Sequence, residues 1–221
     1  MIRSITKQKS LEEILSLLEG MERVFILGCG TCVTLCRTGG APEVEDMTKK
    51  LRENGRIIMG SMVIPVACDE ISHEALEQMR DPLSQSQGIL IMTCAFGVQT
   101  IGRQVQIPVI PALDTLFIGK ERGIGQFEEI CTQCGDCILG ETGGICPVTS
   151  CHKGLLNGPC GGTKDGKCEI DPQKDCAWTL IYERLKAQGR LDRMRRLQPA
   201  KNYQVSPKPG RILIPVEEGG E

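Results

Sequence analysis

The stretch "VFILGCG" (residues 24–30) is a short apolar run closed by glycines. A run too short for a helix and free of alternation predicts a strand buried on both faces. The same pattern returns in "RIIMGSMVIPVAC" (56–68), "GILIMTC" (88–94) and "IPVIPAL" (107–113). In the first of these Pro65 argues against a continuous central strand, because proline cannot donate to the ladder. Between the runs lie segments with helical signals. "PEVEDMTKKLREN" (42–54) has proline at its first turn and acidic residues ahead of basic ones, "SHEALEQMRDP" (72–82) reads as a helix, and "VQTIGRQV" (98–105) as a short one. Strands that alternate with helices predict a small, doubly wound, mostly parallel α/β domain.

Upstream, Leu11, Ile14, Leu15 and Leu18 recur at helical spacing behind Ser10, a good N-cap. The whole opening stretch "MIRSITKQKSLEEILSLLEG" reads as a surface helix rather than a signal peptide, since acidic residues interrupt its apolar part. No run approaches the length of a membrane span, so the expected location is the cytoplasm. The net charge of −2 and an aromatic content of 3% give no footing for nucleic acid.

Past Gly119 the character changes. The expected division is an α/β domain over 1–119 with a cluster site at the carboxyl ends of its strands, a cysteine-rich iron–sulfur segment over 120–178, and a C-terminal helix with an extended tail over 179–221. The late helix, "DCAWTLIYERLKAQGRLDRMRRL" (175–197), sets Trp178, Leu180, Ile181 and Leu185 on a buried side. Its basic residues Arg184, Lys186, Arg190, Arg193, Arg195 and Arg196 read as a solvated face.

Thirteen cysteines stand against two histidines. In a reducing compartment that density points to metal before disulfides. The cysteines form three groups. Cys29, Cys68 and Cys94 close apolar runs, and Cys32 and Cys36 lie just beyond the first. Carboxyl ends of parallel strands line one crevice, so these five thiols are expected to converge, and four suffice for a cubane cluster or a tetrahedral zinc. "GCGTCV" also imitates the start of a dinucleotide fingerprint, but Val33 stands where the third glycine belongs.

The second group is Cys131, Cys134 and Cys137, a C-x2-C-x2-C run of ferredoxin type that favours a 4Fe-4S cluster over zinc. Cys146 precedes Pro147 as the fourth ferredoxin ligand precedes proline, although after eight residues rather than three. The third group is Cys146, Cys151, Cys160, Cys168 and Cys176. The eight cysteines of this half are the number two cubanes need; one cubane plus an unligated remainder, or one cubane with a zinc, are the alternatives. His73 and His152 read as surface residues, and Lys153 as solvated or as a cationic neighbour of a cluster. No P-loop, nucleophile elbow or HExxH motif occurs. Two or three clusters without a substrate site describe a relay for electrons.

The segments "LEEILSLLEG", "VFILGCGTCVTLCRTGG", "TCAFGVQT" and "CTQCGDCILGETGGICPVTSCHKGLLNGPCGGTKDGKCE", followed by "DCAWTLIYERLKAQGRLD", resemble the MetV family. These are small iron–sulfur subunits of methylenetetrahydrofolate reductase in acetogenic bacteria and their relatives. The resemblance covers residues 8–197 and all thirteen cysteines; the surroundings of Cys68, "PVACD" (65–69), depart from the family pattern. It implies electron delivery to the flavin of a MetF-like flavoprotein subunit in the reductive acetyl-CoA pathway, within an assembly that can include a heterodisulfide-reductase-like or NADH-oxidising module. A (β/α)8 barrel takes about 250 residues, so the folate chemistry is expected on that partner. Two rival readings stand beside it. One is an iron–sulfur carrier for another flavoprotein or a corrinoid enzyme; the other is a zinc-stabilised structural or assembly module.

Overall fold

The structure is a computed structural model and describes residues 2–212. Its backbone falls into two units, Met1–Glu128 and Glu129–Glu221. The first unit extends past residue 119 because a long strand carries it to a closing hairpin.

In the first unit the elements are β1 (Ile2–Gln8), α1 (Leu11–Leu17), β2 (Arg23–Cys29), α2 (Cys32–Leu35), α3 (Ala41–Glu53), β3 (Ile57–Ile64), α4 (Ser72–Gln78), α5 (Arg80–Ser84), β4 (Gly88–Met92), α6 (Ala95–Gly102), β5 (Val109–Pro111), β6 (Leu113–Gly123) and β7 (Gln126–Glu128). Four parallel strands form the main sheet in the order β3-β2-β4-β5. From β2 the chain crosses outward to β3, then returns past β2 to β4. Right-handed crossovers in opposite directions place their helices on opposite faces, so the sheet is doubly wound as expected. Its core is Val24–Leu27 of β2 and Ile89–Met92 of β4, all fully buried, with Ile14 and Leu18 from the α1 region and Leu51 from α3 packed against them. Burial on both faces explains why these strands read as unbroken apolar runs. β3 stops at Ile64, one residue before Pro65.

Two expectations fail in this unit. Residues 2–8 are a strand, not part of a helix; β1 pairs antiparallel with β6, and β6 with β7, in a separate three-stranded sheet. Ser4 to Thr6 are buried there. The helix starts only at Leu11, where Ser10 accepts a hydrogen bond from the Glu13 N–H at 3.1 Å, the N-cap that was expected. The segment 72–82 is two short helices that meet at Met79.

The second unit carries α7 (Pro147–Ser150) and α8 (Ala177–Ala187) in otherwise irregular backbone. α8 ends at Gln188, with Gly189 in a left-handed turn, instead of running to residue 197. Trp178, Ile181 and Leu185 are buried as expected, but Leu180 is exposed. The basic face is not simply solvated: Arg193 pairs with Glu141 at 2.8 Å, and Arg190 donates to the Gly140 carbonyl at 2.9 Å. The part of the tail expected to lie extended beyond Ile212 falls outside the described residues.

Candidate metal centres

β2 and β4 are neighbours in the sheet, with Gly28 opposite Met92. The two chain directions diverge between them, so their carboxyl ends flank the topological switch point, where open α/β sheets hold ligands. Cys29 is the last residue of β2 and Cys94 the N-cap of α6, just past β4. The turn after β3 passes over the same edge. The Ala67 N–H donates to Cys29 Sγ at 3.5 Å, and the Gly30 N–H to the Ile64 carbonyl at 2.8 Å. Gly39 lies so close to β4 that a Cβ there would stand 2.0 Å from the Met92 carbonyl oxygen. The backbone around the crevice is therefore tightly held.

Cys68 belongs to this edge. Burial raises its thiol pKa above the ordinary value, and the neighbouring Cys94, Cys29 and Cys32 add to the rise by like-charge repulsion. Cys29, Cys32 and Cys94 thus all lie within electrostatic reach of Cys68. The Cys36 thiol donates to the Ser4 carbonyl at 3.9 Å. Burial pushes its pKa up, hydrogen bonds with Thr6 lower it, and the neighbouring Cys32 raises it further. Val33, where a dinucleotide fingerprint keeps glycine, is a core residue.

In the second unit the eight cysteines sort by place. Cys151, Cys160, Cys168 and Cys176 line one small cavity of about 20 Å³ at the start of α8. Cys176 is the N-cap of α8. Burial raises its thiol, but hydrogen bonds from the Thr179 and Trp178 amides and the Thr179 and Thr163 hydroxyls outweigh that and leave it below the ordinary value. Cys131, Cys134, Cys137 and Cys146 lie outside this cavity. Thr149 of α7 donates to the Ile130 carbonyl at 3.2 Å, which ties the helix following Cys146 to the segment that enters the C-x2-C-x2-C run. Amide-to-sulfur hydrogen bonds occur in both sets, from Gln133 to Cys131 and from Gly162 to Cys160, each at 3.4 Å. Lys153 is not free to face a cluster, because it pairs with Glu169. His73 lies on α4, and His152 approaches Asp171 at 4.0 Å.

All thirteen thiols are free. Among the described residues no group of three or more His, Cys, Asp or Glu side chains is arranged to hold a metal ion. The donor types nevertheless suit thiolate-bound groups: the residues at issue are free cysteines, and backbone amides donate to the sulfurs of Cys29, Cys131 and Cys160.

Residues 110–204 match the model of a family described as "Methylene-tetrahydrofolate reductase C terminal". The match takes in all eight cysteines of the second unit and none of the five in the first. The likeness is therefore to methylene-tetrahydrofolate reductases, over the cysteine-rich half. No curated protein and no solved structure matches the chain. No helix among the described residues is long and apolar enough to cross a membrane.

That Cys151, Cys160, Cys168 and Cys176 line one cavity was not readable from their spacing. Turn geometry contributes to it: Asp165 and Gly166 take left-handed conformations, and the Cys176 N–H returns to the Gly166 carbonyl at 2.7 Å.

Proposed function

We propose that this chain is the iron–sulfur subunit of a methylenetetrahydrofolate reductase, a MetV-type electron carrier that serves the flavin of a MetF-like catalytic subunit. The observation that carries the reading is the position of Cys29 and Cys94 at the carboxyl ends of the neighbouring strands β2 and β4, with Cys68 within electrostatic reach of both and of Cys32. The likeness of residues 110–204 to the reductase family supports the choice of partner. 4Fe-4S clusters, when bound, would supply reversible one-electron chemistry. The chain's own residues would do the rest. Cys29, Cys32, Cys68 and Cys94 would hold one cluster, and Cys131, Cys134, Cys137 and Cys146 another. The Ala67 and Gln133 amides, aimed at Cys29 and Cys131, would stabilise negative charge on sulfur and so raise a reduction potential. The buried strands beneath would keep water off the inner side of the crevice.

Leu35, Ile71 and Phe96 are exposed close in sequence to Cys36, Cys68 and Cys94. An apolar rim beside a redox site suits a flavoprotein that must approach closely. The electrons would enter from a heterodisulfide-reductase-like or NADH-oxidising module of the same cytoplasmic assembly.

The test is to mix the chemically reduced, anaerobically purified chain with a MetF-type flavoprotein and follow flavin bleaching by stopped flow. Stoichiometric flavin reduction is expected, slowed by Phe96→Asp with iron content unchanged. A flavin that stays oxidised beside a fully reduced chain would refute the role.

A further inference from the structure

The antiparallel sheet bears on the crevice through two threonines that stand opposite each other in its ladder. We propose that Thr6 of β1 and Thr115 of β6 are positioning residues that hold the two cysteines of the fork, Cys29 and Cys94, in place. The inference rests on the proposed role of the crevice and gives the three-stranded sheet a part in it.

Three observations carry it. The first is register. Thr6 pairs with Thr115 directly after an irregularity in the β1–β6 ladder. Ile5 pairs with Phe117, so Leu116 is left over as the bulged residue, and its side chain is exposed. A bulge re-aims the side chains beside it. Opposed residues of an antiparallel pair carry their side chains on one face, so the two hydroxyls work from the same side of the sheet.

The second is what the pair reaches. Thr115 Oγ1 accepts a hydrogen bond from the Ala95 N–H at 2.8 Å. Ala95 opens α6, and Cys94, the N-cap, makes no side-chain cap of its own. The first N–H groups of a helix have no partner inside it. The hydroxyl from β6 supplies what the cap lacks and so fixes the backbone next to Cys94. On the other strand, the Thr6 and Thr38 hydroxyls share a hydrogen bond of 2.6 Å, and both residues are buried. Gln8 donates to the Thr38 carbonyl at 2.8 Å. The carbonyl of the next residue, Gly39, accepts the Cys29 N–H at 3.1 Å. One threonine therefore acts on Cys94 through Ala95, and the other on Cys29 through Thr38 and Gly39.

The third is the polarity of β1. Ser4, Thr6 and Gln8 occupy alternate positions, hence one face of the strand. Ser4 and Thr6 are buried on it. A buried hydroxyl costs free energy unless it is hydrogen-bonded, so a strand that merely covered a core would be apolar there. The partners of this face are in the turn after α2: Thr38 for Thr6 and Gln8, and Cys36 for the Ser4 carbonyl.

The experiment uses the full chain with its iron removed under anaerobic, reducing conditions, since the first unit has an apolar core of its own. Iodoacetamide labelling of each thiol is followed by mass spectrometry in the wild type, Thr115→Val and Thr115→Ser. Thr115→Val is expected to label Cys94 about tenfold faster, the effect of one lost hydrogen bond, with Cys36 at its wild-type rate. Thr115→Ser is expected to restore the slow rate. An unchanged Cys94, equal acceleration of Cys94 and Cys36, or no rescue by serine overturns the proposal. Should Thr115→Val fail to fold, Thr6→Val decides: faster labelling of Cys29 than of Cys94 supports the assignment, and any other pattern removes it. Iron is counted separately on the chains as isolated. Its absence from the wild type would refute the electron carrier and leave the labelling result standing, so the two failures are distinct.

Discussion

Cys29 ends β2 and Cys94 caps α6 just beyond β4, so two thiols from distant parts of the chain meet at the fork between neighbouring parallel strands. The fork is where the doubly wound topology leaves its crevice. Cys32, at the start of α2, and Cys68, in the turn after β3, lie within electrostatic reach of each other, and Cys68 also of Cys29 and Cys94, while the Cys36 thiol is engaged with the Ser4 carbonyl.

This separation gives the first prediction. Cys94→Ser should remove about four irons per chain, while Cys36→Ser should leave iron unchanged, because its thiol is engaged with Ser4 outside the four. Iron and sulfide analysis of the two variants checks it; equal losses would mean that the crevice set is wrong.

The tight backbone around the crevice gives the second. A Cβ on residue 39 would stand 2.0 Å from the Met92 carbonyl and 3.1 Å from its Cβ, neither of which can swing away. Gly39→Ala should therefore destabilise the first unit by about 1–3 kcal/mol, the usual cost of overpacking. Urea unfolding followed by far-UV ellipticity measures it. An unchanged midpoint would show that the 37–40 loop yields freely.

Cys68 supplies a third prediction, made for the chain without its clusters, since the first unit has a core of its own. Although Cys68 is exposed, burial of its sulfur and the thiolates of Cys94, Cys29 and Cys32 raise its pKa. A raised thiol pKa means less thiolate at a given pH, so alkylation at mildly alkaline pH should be slower than for an ordinary exposed cysteine. Cys94→Ala removes one repelling charge, so the Cys68 midpoint should move down and the labelling speed up. Mass-spectrometric labelling across pH reads both; a midpoint indifferent to Cys94→Ala would deny that the two sulfurs are neighbours.

Much of the α/β unit was legible because its strands are buried on both faces, which leaves runs such as Phe25–Leu27 and Ile89–Met92 apolar throughout. Ser10 marked the start of α1 in the same direct way. β1 was not legible. Its seven residues include Arg3, Lys7 and Gln8, and its partner β6 lies more than a hundred positions away, so no local period announces it. The crevice cysteines followed from strand order, since residues that close parallel strands must share an edge. The set Cys151, Cys160, Cys168 and Cys176 did not, because turns such as that at Gly166, to whose carbonyl the Cys176 N–H returns, place these residues around one cavity, and spacing along the chain carries none of that. The ferredoxin-like run marked Cys131, Cys134 and Cys137 as a group but was silent on their fourth partner.

The measurement that bears most directly on electron transfer is iron and acid-labile sulfide per chain, taken with the EPR spectrum of the dithionite-reduced protein under strict anaerobiosis. The account predicts about eight irons with matching sulfide and the fast-relaxing signals of reduced 4Fe-4S clusters. A colourless protein that holds zinc and no iron would contradict it, and the chain would then be a structural subunit rather than a carrier of electrons.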